Sequence, residues 1–164
     1  MLTLLAALLI GVPADGSESP RGVAKLAILQ GMLEGKAGEN GEYKAFKAGD
    51  EIEAGTMLRT ASGTKASVDF SDGSELRIAE STEVSVDDPR KVGLQHGHIY
   101  VKIVRGSKRF EIAFLQLGVS ADAAVVDVEY TPRVKDGPPA ATMIRVIDGM
   151  ARATSPKFGA NVFS

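Results

Sequence analysis

From Gly22 onward, apolar residues recur at every second position, in short runs cut apart by glycine-rich and charged turns. That period places alternate side chains on opposite faces of an extended chain and cannot build an amphipathic helix. Ala66-Val68-Phe70, Leu76-Ile78, Val84-Val86, Val92-Leu94, Ile99 to Val104 and Phe110 to Phe114 all follow it. After Pro20 no segment sustains apolar residues at i, i+3, i+4 and i+7. The pattern predicts an all-β domain, an antiparallel β-sandwich or an open, elongated barrel of about a dozen short strands. Further runs are Val23 to Leu33, Val119 to Tyr130, Met143 to Ile147 and Met150 to Ala153, the last two joined at Asp148-Gly149. Turns are expected at "QHG" and "RGSKR", and "TPRVKDGPPAAT" reads as a protruding connection, because its prolines exclude a central strand.

The stretch "KASVDFSDGSELRIAEST", Lys65 to Thr82, raises a choice between an ion site and a hairpin. An EF-hand-type loop counted from Asp69 has Ser71 at its third position, but Gly73 falls at the fifth and Glu80 at the twelfth, with strand-like flanks. The hairpin alternative can be decided by parity, since opposed residues share a face. A two-residue turn at Asp72-Gly73 opposes Phe70 to Glu75 and Val68 to Arg77, which mixes the faces. A three-residue loop, Ser71-Asp72-Gly73, opposes Val68 to Leu76 and Ala66 to Ile78, and puts Gly73 at the left-handed position. A loop from Asp72 to Ser74 also satisfies parity but puts serine at that position.

With 164 residues the chain can build one ordinary domain. A net charge of −2 argues against a nucleic-acid binder that relies on bulk electrostatics. No cysteine is present, which excludes disulfides and thiolate chemistry. Leu2 to Val12, "LTLLAALLIGV", is apolar over eleven residues. As a helix it would reach about 16 Å, short of a hydrocarbon core of about 30 Å. It reads as the apolar part of a signal peptide spanning 1–14, with Val12-Pro13-Ala14 as the cleavage site, or as a clipped membrane helix. Residues 15–21 then form a linker, 22–155 the β domain and 156–164 a tail. Either reading of the first segment places the domain outside the cytoplasmic membrane, periplasmic or secreted, with membrane contact only through an uncleaved N-terminal segment.

Few residues offer chemistry. His96 and His98, the only histidines, sit at alternate positions in "QHGHIY"; they are weak metal candidates, because Gly97 separates them and no third ligand lies nearby in sequence. Lys102, Arg105, Lys108 and Arg109 bracket "RGS" and are the candidate contacts to an acidic partner or anionic glycan, or else a solvated hairpin tip. "GMLEGKA" has the wrong spacing for a phosphate loop and ends in Ala37 where Ser or Thr is needed. No G-x-S-x-G or H-E-x-x-H occurs and no carboxylate pair stands out, so neither catalytic residues nor a cofactor are expected.

The order of motifs resembles the FecR domain, the periplasmic sensor portion of iron-dicitrate-type sigma regulators. The matching elements are Gly49-Asp50, Thr60, Ser62-Gly63, Asp72-Gly73-Ser74, Leu94 with Gly97, Phe110 with Ile112, and Val146 with Gly149 in a closing hairpin. The resemblance covers roughly residues 22 to 155. Where the family usually has a Gly-Thr pair before the last hairpin, this chain has Asp127-Val128. With the N-terminal export segment and the absence of catalytic groups, the resemblance points to a non-catalytic exported module that engages an envelope protein or cell-wall glycan; the alternative is the sensor part of a transmembrane pathway that regulates a sigma factor.

Overall fold

The computed structural model describes residues 22–155 except 39, 107, 116, 134 and 136, together with the backbone alone of residues 159–163. The segments read as signal peptide (1–14) and linker (15–21) lie outside the described residues. Strand follows strand: β1 (Ala24–Gln30), β2 (Leu33–Ala37), β3 (Lys44–Ala45), β4 (Glu51–Ile52), β5 (Thr56–Thr60), β6 (Lys65–Phe70), β7 (Glu75–Ile78) and β8 (Glu83–Asp88). The chain continues with β9 (Lys91–Ile103), β10 (Phe110–Phe114), β11 (Leu117–Ala121), β12 (Ala124–Thr131), β13 (Ala141–Gly149), β14 (Ala151–Ser155) and β15 (Gly159–Phe163).

These strands hydrogen-bond into a single 15-stranded sheet, and β9 is the reason it curls. Its thirteen residues serve two wings. The first half pairs with β8, Val86 opposite Val92. The second half lies between β7, through Leu76 and Val101, and β12, through Val126 and Val101. One wing therefore runs β4-β1-β6-β7-β9-β12-β13. The other runs β3-β2-β5-β8-β9-β10-β11-β14-β15. The result is an all-β open barrel, antiparallel except where β10 lies parallel to β9 with Ile112 opposite Val92.

The alternation in the sequence becomes the core. Leu26, Val68, Leu76, Val101 and Val126 from one wing meet Leu58, Val84, Val92 and Ile112 from the other in one buried cluster. Each such side chain contributes about 1.5–3 kcal/mol when fully buried. Phe110 packs edge-on against Phe70, with ring centroids 5.4 Å apart and planes at 77°. In the β6–β7 hairpin Val68 opposes Leu76 and Ala66 opposes Ile78. The Phe70 and Ser74 backbones bond across the loop at 2.9 Å, and Gly73 has φ 85°. This is the register of the three-residue loop.

Elsewhere the connections differ from the sequence expectation. "QHG" is a bend inside a continuous β9, with Gly97 at φ 100°. "RGSKR" belongs to the link between two parallel neighbours, β9 and β10, and is not a hairpin tip. Val119 to Tyr130 divides into β11 and β12, which enter different wings. Nor do β13 and β14 form a closing hairpin: β13 pairs with β12, whereas β14 pairs with β11 and β15. Gly149, at φ 80°, turns the chain between them, where a Cβ would run into the Ala123 carbonyl oxygen. The segment read as a tail contributes β15, which extends the sheet beyond β14.

Candidate functional site

The Asp72 loop is a structural fastening. Asp72 Oδ1 accepts the Ser74 N–H at 2.8 Å and Oδ2 accepts the Ser74 hydroxyl at 3.1 Å. Oδ2 also pairs with Arg90 Nη1. Arg90 lies between β8 and β9, and its Nη2 donates to the Val104 carbonyl at 3.0 Å, so the guanidinium ties the start of β9 to the chain leaving its end. Ser74 Oγ accepts the Val104 N–H at 3.1 Å from the other side. With its oxygens engaged by loop donors and a guanidinium, Asp72 anchors the closure of the barrel. Glu80, the residue a calcium loop would need twelfth, instead accepts the Gly63 N–H at 2.5 Å and the Ser62 hydroxyl at 3.2 Å. The Gly63 N–H, with the Ser62 hydroxyl assisting, holds its carboxyl below the ordinary carboxylate range.

The two histidines part company at the Gly97 bend. His96 Nδ1 lies 3.9 Å from Glu83 on β8, whereas His98 Nε2 contacts Asp127 on β12. Among the described residues no group of three or more His, Asp or Glu side chains gathers as a metal site. Asp127 is buried beneath two cationic or hydrogen-bonding neighbours, since Arg145 Nη1 on β13 also reaches it at 3.2 Å.

That pair belongs to a row no sequence motif announced. Cross-strand register lines up Ile28, Ser67, Arg77, Tyr100, Asp127 and Arg145 across six adjacent strands. All lie on the face turned away from the core. Between the first four and His98 runs a groove of about 400 Å³ whose lining is largely apolar. Ile28 is 65% exposed at one end of it. The Arg77 guanidinium sits 5.1 Å from the Tyr100 ring centre and its Nε donates to Glu75 at 2.7 Å. The Arg77 hydrogen bonds hold the Glu75 carboxyl below its ordinary value of 4.5, against the upward push of burial and with help from the Ser67 hydroxyl at 2.9 Å. A carboxylate depressed in the folded state contributes stability that is fully present above its unfolded pKa and is lost as pH falls through the folded value. Glu75→Gln is therefore expected to flatten the fall in stability between about pH 5 and pH 3. Because Arg77 is 59% exposed, the effect is on the order of 0.5 kcal/mol. Urea titrations across that range, matched against the parent chain, measure it; an unchanged slope would show that the pair contributes nothing.

The basic group divides. Lys102 stands on the outer face of β9 opposite Glu75 and Val125, and Lys108 is exposed on the β9–β10 link. Arg105 and Arg109 are joined by Arg152 of β14 around a cleft of about 440 Å³, with Asp122, Gly149 and Met150 also in its wall. Arg109 Nε lies 3.5 Å from Asp122 Oδ2. Beside this cleft, β13 pairs with β12 alone among the described residues, and Met143, Ile147 and the following Met150 are exposed. A free strand edge offers main-chain donors and acceptors to another chain.

The surface of this all-β open barrel thus carries an apolar groove, an arginine cleft and, among the described residues, a strand paired on one side only. A family model described as FecR protein matches residues 56–152, and the chain belongs to that family. The family is regulatory, and its domains are typically periplasmic parts of membrane regulators. No curated protein and no solved structure matches the chain.

Proposed function

We propose that the protein is a non-catalytic, exported binding and scaffold module that engages an envelope protein or a cell-wall glycan. The single observation that supports this reading best is β13, nine residues long, exposed or half-buried throughout and paired on one side only among the described residues. Adding a strand to such an edge supplies affinity through main-chain hydrogen bonds, while side chains like Met143 and Ile147 supply selectivity. This favours a protein partner over a glycan.

Lysine on an exposed edge discourages strand addition. Met143→Lys combined with Ile147→Lys is expected to leave folding within about 0.5 kcal/mol of the parent, as surface changes usually do. Capture of the specific envelope partner should fall by about tenfold or more, which corresponds to about 1.4 kcal/mol. Quantitative pull-downs from envelope extracts compare the two proteins; equal recovery of the same partner would sink the edge-strand reading. Family membership favours a second reading, the sensor part of a transmembrane pathway that regulates a sigma factor. Under that reading the edge-disabled variant also changes expression from the sigma-dependent promoter, whereas a pure scaffold leaves it unchanged.

A further inference from the structure

We infer that the cleft between Arg105, Arg109 and Arg152 receives the acidic end of an extended peptide strand that adds to β13. The inference rests on the reading of β13 as a docking edge and names the chemistry of what docks there.

The first ground is charge. Three guanidiniums surround the cleft and one carboxylate, Asp122, faces them. Asp122 is within ion-pair distance of Arg109 only, and among the described residues Arg105 and Arg152 have no carboxylate partner. Arginine presents a planar fork of donors that matches a carboxylate at two points, so two guanidiniums in one cleft without a carboxylate partner among the described residues form an anion site with directional donors. The second ground is continuity. Gly149 ends β13, and both Gly149 and the exposed Met150 form part of the cleft wall. A strand laid along β13 is thus delivered to the arginines by its own direction. Antiparallel addition, the more stable pairing per residue, puts the N-terminal end of the incoming strand at the cleft, because β13 runs toward it. The acidic residues should therefore precede the strand. A peptide satisfies both features at once; a polysaccharide could meet the arginines but has no regular main chain to match the edge.

The test uses a synthetic acetylated peptide of three glutamates followed by a six-residue Thr–Val alternation, together with its three-glutamine counterpart and its reversed sequence. Backbone amide shifts of the labelled protein and the dissociation constant are read at low and at physiological salt. We expect the acidic-first peptide to shift amides in both β13 and the cleft and to bind at least tenfold more tightly than the glutamine and reversed peptides. That margin should vanish in the Arg105→Gln/Arg152→Gln variant and shrink with salt. If glutamate and glutamine peptides shift β13 equally and the variant changes nothing, the cleft inference is overturned while the docking edge stands. If no peptide shifts β13, both are overturned. Polygalacturonate shifting the cleft without β13, with the peptides silent there, would reassign the cleft to a glycan.

Discussion

Asp72→Ala is expected to destabilise the domain by about 3–5 kcal/mol, the cost of leaving a buried charge without its partner. The Arg90 side chain is 10% exposed and that of Asp72 21% exposed, so little solvent is available to replace the lost carboxylate. Arg90 Nε is already buried without a hydrogen-bond partner, the only such side-chain atom among the described residues. The guanidinium cannot simply swing outward: it lies 5.9 Å from the Phe110 ring centre and bonds the Val104 carbonyl. The glycine at 106 is part of the same arrangement, since a Cβ there would run into the guanidinium. Asp72→Ala also removes the acceptor of the Ser74 N–H and frees the hydroxyl that receives the Val104 N–H. Arg90→Met alone should be milder, because Asp72 keeps its loop donors. The double variant should recover part of the loss, and the coupling between the two sites should exceed about 1 kcal/mol. Urea denaturation of the four proteins provides the cycle. A loss below about 1 kcal/mol for Asp72→Ala would mean that the pair does not close the barrel.

Local pairing was legible in the sequence because parity is a local rule. Ala66, Val68, Leu76 and Ile78 must share a face, and only an odd loop between them allows it; the observed pairing of Val68 with Leu76 has that form. The alternation likewise marked Val84, Val86, Val92, Leu94, Ile99 and Val101 as inward, and each is buried. Parity has nothing to say about partners distant in sequence. The parallel contact of Ile112 with Val92 and the pairing of Val119 with Ala153 depend on how the whole sheet curls. Glycine misled for a related reason. Gly97 and Gly149 carry the same left-handed backbone as the hairpin glycine at 73, so a bend within a strand and a passage between wings both resemble a turn.

The candidate surface was legible only in pieces. Arg105 and Arg109 stood out as a charge cluster, but Arg152 joins them through the β11–β14 pairing, which no spacing in the sequence reveals. His98 stood out as one of two histidines, and its partner proved to be Asp127 on β12, not His96. In the sequence Asp127 is marked only by its departure from the family's usual Gly-Thr pair. Buried on the outer face of the sheet, it holds residues from both neighbouring strands, which gives that departure a physical meaning.

Gly97→Val tests whether the β9 bend shapes the rest of this surface, and it is expected to cost about 2–6 kcal/mol. A β-branched residue forced to φ 100° is strained by about 1–3 kcal/mol. Steric crowding adds about 1–3 kcal/mol, because even a Cβ at this position would lie 2.6 Å from the Thr82 Cα. The neighbouring chain cannot give way cheaply. Thr82 Oγ1 accepts the His98 N–H at 3.0 Å, and the Thr82 N–H donates to Thr60 Oγ1 at 3.0 Å. These contacts fix the point at which β9 leaves β8 and enters the wing containing β12. Since Tyr130 lies opposite Gly97, displacement there reaches β12 and, through it, β13. The variant should therefore show two linked effects, a lower midpoint in urea and shifted amides at Asp127 and along β13. Gly97→Ala should show the same pattern at the lower end of the cost. His96→Ala, which leaves the bend intact, should leave β13 unshifted. If Gly97→Val were as stable as the parent with β13 unmoved, the bend would be incidental to the edge, and the docking surface would have to derive its shape from β12 alone.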